Sequence, residues 1–276
     1  MGIWIMAGVT FREAARKKLL WIALAAGFAF LALFATGLHY QLQAFTERRP
    51  NPILQREVLS TQLVVGLYAI TMLSVLMTVV TSVDTLSGEI SSGTIQAVAT
   101  KPVPRWQLLI GKWLGFAAML TVFLIILVGG INALTYSMGG VVARHLLSGL
   151  ALIWMEGLLL LSLTFLFGTY FSTITTGVMV LGLHGLAFIG GWIEQMGVLT
   201  QTPKAVNVGI FASILMPSES LWRRAAYEMQ SPLASASRFS PFGAFSVPSW
   251  TMVVYAGSYL LIVLLLAIRR FAKRDL

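Results

Sequence analysis

The sequence predicts an all-α fold, a polytopic membrane protein with six transmembrane helices. Three observations carry that expectation. Hydrophobic residues fill 57% of the 276 positions and charged residues only 11%, where a soluble domain carries roughly 25% charged residues. The apolar residues fall in long uncharged blocks, and about 20 such residues span a bilayer as a helix. The 19 Lys and Arg residues outnumber 10 Asp and Glu, giving +9, yet they cluster at block ends, where lipid head groups and orientation account for them. That placement argues against a nucleic-acid partner. The absence of cysteine removes disulfides, thiolate zinc sites and cysteine nucleophiles.

Residues 1–18 read as an amphipathic elbow helix. Trp4, Gly8, Phe11 and Ala15 share one face, and Arg12, Glu13, Arg16 and Lys17 lie largely on another, as in a helix lying in the membrane interface. Thr10 and Glu13 have capping-box spacing, so a short helix restarting at Phe11 and running into the first span is an equal reading. The apolar Ile3 to Met6 precede the basic cluster, the reverse of a secretory signal, so the segment is expected to be retained. Spans follow at 19–38, 63–83, 113–134, 146–171, 174–193 and 252–268. Only Glu156 interrupts the fourth, and Trp250 and Phe271 lengthen the last into the interfaces. An even number places both termini on one side. A cytoplasmic side collects Arg12, Arg16, Lys17, Lys18, Lys101, Arg105, Lys112 and the C-terminal basic residues, leaving Arg48, Arg49, Arg56 and Arg144 in the shorter outer loops.

The cytoplasmic segment 84–112 has a logic of its own. Ser91 or Ser92 caps a short helix over roughly Thr94 to Ala99, and Pro102 and Pro104 stop it. Ile95, Val98 and Ala99 form an apolar face, to be covered by a partner or by the protein's own helices. Lys101 and Arg105 suit acidic partner residues or anionic lipid equally. Gly93 is either a backbone position closed to other residues or an ordinary loop glycine.

Arg12-Glu13 and Arg16-Lys17-Lys18 before the first span, Glu89 with Ser92-Gly93-Thr94-Ile95, and Lys101-Pro102-Val103-Pro104-Arg105 with Gly111-Lys112 form one pattern. With Leu215-Met216-Pro217-Ser218 and the ending Arg270 to Leu276, it resembles the ABC type-2 permease family. Members are transmembrane subunits of ATP-binding cassette transporters. The resemblance implies that Glu89 to Arg105 form a coupling helix in a cleft of cytosolic ATPase subunits, with Glu89, Gly93, Thr94, Ile95, Val98, Lys101, Pro102 and Arg105 as its coupling residues. It further implies an inner or plasma membrane location, a homodimer or a related permease as second subunit, and outward transport. ATP and Mg would then bind the ATPase, with no cofactor in this chain. The chain's own phosphate-loop matches fail: Gly88 and Gly93 have the spacing, but Thr94 stands where lysine is needed, and Trp113 follows Gly111-Lys112 in place of Ser or Thr. Enzymatic activity is not expected here.

Inside the membrane, an ionised carboxylate costs several kcal/mol, so Glu156 must face protein, water or a cation. It lines a substrate route, or it bonds another helix or lies near enough to the outer surface to stay wet. His184 reads as a packing residue with one hydrogen bond, and the scattered His39 and His145 make no metal site. Ala25, Ala29 and Ala32, and separately Gly182 and Gly185, predict close helix contacts, within the monomer or across a dimer interface. The outer segment 194–248 holds an apolar stretch, Val206 to Met216, expected as a re-entrant or interfacial helix. Pro217-Ser218 then starts a second helix whose Leu221, Trp222, Ala225 and Met229 face membrane or protein while Arg223, Arg224 and Glu228 face water. It serves as an outer gate or a plain lid. The rival classes are a self-contained secondary transporter or channel, which needs ionisable or broken-helix sites at mid-membrane, and a structural subunit of a larger membrane complex.

Overall fold

The computed structural model describes residues 2–16, 18–48, 51–91, 104–231 and 246–273. Among them are nine helices and no strand: α1 Gly2–Arg16, α2 Lys18–Arg48, α3 Pro52–Ser91, α4 Arg105–Gly139, α5 Leu146–Gly168, α6 Thr173–Leu199, α7 Pro203–Leu215, α8 Ser218–Met229 and α9 Trp250–Ala272. Six of these, α2 to α6 and α9, are long and apolar enough to cross a bilayer. Several outrun their uncharged blocks, since adding a residue to an existing helix is far easier than starting one. Thus α3 begins at Pro52 and α4 at Arg105. The block 146–171 is shorter as a helix: α5 stops at Gly168, and Thr169 to Phe171 belong to the turn into α6.

The centre of the bundle is α5, whose Leu159, Leu160, Leu161 and Phe165 are fully buried. Around it pack α3, α4, α6, α8 and α9. The outermost spans, α2 and α9, expose Trp21, Ile22, Leu33, Leu261 and Ile262, which hydrocarbon accepts and water would not. Hydroxyls along α3 are satisfied locally: Thr71, Ser74, Thr81 and Ser82 donate to carbonyls one turn back, at 2.6–2.9 Å.

The first helix packs on the bundle through a strip that the sequence pattern leaves unassigned. It runs unbroken from Gly2 to Arg16, with no restart at Phe11. Thr10 and Ala14 are buried, while Trp4 is 76% exposed and Gly8 faces open space. The contact surface is α4, where glycines admit the α1 backbone: a Cβ on Gly111 would lie 2.5 Å from Met6 Cβ, and one on Gly115 2.8 Å from Thr10 Cβ. Lipid-facing residues are apolar too, so hydrophobicity alone does not mark the inward side of such a helix.

Within the single chain the close helix contacts fall at other small residues. Ala25, Ala29 and Ala32 are exposed, and α2 buries Gly27, Leu31, Phe34 and Leu38 instead. Gly182 and Gly185 meet nothing within 4 Å. The tight pair is α6 with α7, which fold back on each other through Thr200 to Thr202. A Cβ on Gly190 would lie 2.2 Å from Ala212 Cβ, and one on Gly209 2.3 Å from Glu194 Cβ.

The short helix α8 is tucked among the spans. Its C-terminal carbonyls, Glu228 O and Met229 O, accept the backbone N–H groups of His145 and Arg144 from the α4–α5 connection, meeting the needs of an otherwise orphaned helix end. Asn132 Oδ1 steadies that connection by accepting the Ala143 N–H at 3.1 Å. Arg224 lies 4.4 Å over the Trp250 ring and donates to Pro248 O, tying α8 to the start of α9.

Candidate functional site

Arg105 opens α4, and Glu89 falls in the last turn of α3. Gly93, Thr94, Ile95, Val98, Lys101 and Pro102 lie outside the described residues.

What the bundle does assemble is a buried polar cluster where α8 meets α5 and α6. Glu156, ten residues into α5, is 1% exposed, and neither carboxyl oxygen has a hydrogen-bond partner among the described residues. His184 of α6 brings Nδ1 to 3.9 Å from Glu156 Oε1 and 3.1 Å from Ser218 Oγ, at the start of α8. Next to Ser218 comes Glu219, 2% exposed, its stem lying on Gly191: a Cβ there would sit 2.6 Å from Glu219 Cγ. Only glycine leaves room for that carboxyl. Burial pushes the Glu219 carboxyl up to about 8; Arg223 opposes the shift and Glu194 adds to it.

One turn on, Arg223 is 3% exposed and donates from one terminal nitrogen to Glu194 Oε2 at 2.9 Å and to Ser213 Oγ at 3.3 Å. The second oxygen of Glu194 accepts from Ser246 at 2.6 Å. This buried ion pair joins α6, α7, α8 and the approach to α9, and it leaves Arg223 Nε and one terminal nitrogen buried without a hydrogen-bond partner among the described residues. Tyr68 of α3 closes the cluster, its ring 5.0 Å from Trp222 of α8 and within electrostatic reach of both Glu156 and Glu219.

A family model described as "ABC-2 family transporter protein" matches residues 4–276. The chain belongs to the ABC-2 transporter family. No curated protein matches it. Membership and the six apolar helices make this ABC-2 chain a multi-pass membrane protein and the permease subunit of an ABC transporter.

In this ABC-2 permease the two intramembrane residues singled out by sequence, Glu156 and His184, are neighbours. Glu194, Glu219 and Arg223 complete their surroundings and were missed. Arg223 corrects the expectation directly: it is buried, not water-facing, while Leu221, Trp222, Ala225 and Met229 are buried as expected. Arg224 and Glu228 are half-buried and paired at 2.6 Å. The signal was present in the i,i+4 spacing of Glu219 and Arg223 and in Glu194 directly after an apolar run. Among the described residues no group of three His, Cys, Asp or Glu side chains is placed to hold a metal ion.

Proposed function

We propose that this permease works as an exporter driven by separate cytosolic ATPase subunits, which bind ATP and Mg. The observation that carries the reading is the family match from residue 4 to residue 276, which takes in all six apolar helices and the segment between α3 and α4. On this reading both termini and residues 84–112 are cytoplasmic, residues 194–248 are external, and Glu89 to Arg105 receive the ATPase. Work passes from an ATPase only through a rigid protrusion joined to helices with two arrangements; α3 and α4 flank the segment and are long enough to serve. A second copy or a related permease completes the transporter in the membrane.

The test is co-purification with candidate ATPase subunits, followed by ATP-dependent efflux from cells or uptake into inverted vesicles. Replacing Gly93→Asp, Thr94→Asp and Ile95→Asp together is expected to leave membrane insertion intact and abolish ATPase association. Unchanged association sinks the coupling assignment, and transport by the chain alone in liposomes would make it a secondary transporter.

A further inference from the structure

The cluster at the start of α8 holds more negative charge than its own residues neutralise. Three carboxyls, Glu156, Glu194 and Glu219, share the cluster with one guanidinium, that of Arg223, which bonds Glu194 through one nitrogen while its Nε and second terminal nitrogen are buried without a hydrogen-bond partner among the described residues. Around them α3 presents Tyr68, α6 His184, and α7 Ser213. Arg224 on α8 itself is paired with Glu228, and Tyr255 of α9 spends its hydroxyl on Ile214 O, away from the carboxyls. Both Glu156 oxygens, Glu219 Oε2 and His184 Nε2 are buried without a hydrogen-bond partner among the described residues. Acceptors left bare in this way need a donor or a positive charge. A metal ion would require a convergent ligand set, which the described residues do not offer. A proton requires one oxygen.

We propose that Glu156 and Glu219, together with His184, form a proton-binding site whose occupancy keeps the first turn of α8 docked in the bundle. Protons from solvent add to one oxygen of each carboxylate, forming two carboxylic acids and leaving Glu194 with Arg223 as a neutral pair. The protonated carboxyls also become donors, which the bare acceptors and the imidazole can use. When Glu219 ionises, its charge is buried beside Gly191 with only Arg223, already shared with Glu194, as a nearby cation, and the first turn of α8 leaves the site. The link to pH follows from the raised affinity of Glu219, which titrates near 8 when docked and near 4.5 when free. This site does not depend on which ATPase drives the permease.

The chain contains no cysteine, so Ser220→Cys, at a position 2% exposed, gives a single reporter of α8 undocking. Its maleimide labelling rate in the full chain in nanodiscs, divided by that of the exposed Lys204→Cys, is expected to rise with pH by up to about tenfold per unit and level off above about 8. Glu219→Gln in the same background flattens the profile. A flat wild-type ratio, or an unchanged slope with Glu219→Gln, overturns the proposal. So does a ratio set by sodium concentration at fixed pH. Infrared spectroscopy of the cysteine-free protein supplies a readout independent of the reporter. A protonated-carboxyl C=O band at neutral pH that Glu156→Gln removes supports the site, and no such band defeats it.

Discussion

Replacing Arg223→Met tests the ion pair that fastens α8 to the α6–α7 hairpin. The guanidinium is 3% exposed and supplies two hydrogen bonds, to Glu194 at 2.9 Å and Ser213 at 3.3 Å. Methionine approximates its volume but leaves the Glu194 carboxylate buried with only Ser246 as its remaining donor among the described residues. Removing one partner of a buried pair costs about 3–5 kcal/mol. With roughly 2–4 °C per kcal/mol for a chain of this size, Tm should fall by about 6–20 °C. Adding Glu194→Gln to Arg223→Met removes the stranded charge, so the double variant should recover a coupling of about 2–3 kcal/mol. The assay is the monodisperse fraction surviving heating in detergent, with exposed Lys204→Met as control. A loss for Arg223→Met no larger than for the control, or strict additivity in the cycle, refutes the argument.

At Gly209 any side chain meets the α6 backbone, with Gly190 O 2.6 Å from an added Cβ. Gly209→Ala should therefore cost about 1–3 kcal/mol by overpacking, read as a lower Tm and faster tryptic cleavage at Lys204. Gly115→Val should free α1 from α4, since a Cβ there lies 2.9 Å from Ala7 O; faster labelling of Thr10→Cys checks it. Arg270 lies 4.9 Å over the Tyr170 ring, so Tyr170→Ala should lose about 0.5–2 kcal/mol and Tyr170→Phe much less, by the same thermal assay. For Glu219 the docked form binds its proton more tightly than the free form. Its stabilisation is thus complete below about 4.5, declines as pH rises, and is gone above about 8. Thermal stability of wild type minus Glu219→Gln should trace that fall.

The fold class was legible because long uncharged blocks admit few other structures in lipid, and the helix count needed nothing more. Orientation of individual faces was not. In α1 the side that packs inward, through Met6, Ala7 and Thr10, is set by Gly111 and Gly115 on α4, which accept its backbone. Four charged residues among the twelve of α8 resemble a water-facing surface. What reverses the reading is Glu194, 29 positions from Arg223 along the chain, a pairing no local spacing reports. Glu156 and His184 stood out singly by their rarity in apolar runs, but their proximity depends on how α5 and α6 pack. The glycines that matter, 190, 191, 197 and 209, are told from Gly182 and Gly185 only by what lies opposite them.

The two ends of α8 are held by different physics. At the heel, the Arg144 and His145 N–H groups grip its last carbonyls. Backbone bonds of that kind ignore acidity across the ordinary range. At the toe, Ser218 and Glu219 rest on His184 and Gly191, where contact varies with charge. A twelve-residue helix is a lever of about 18 Å, and about 10° of rotation about the heel carries the toe some 3 Å. One short helix thus ties the α4–α5 connection at one end to the Glu156–His184 neighbourhood at the other.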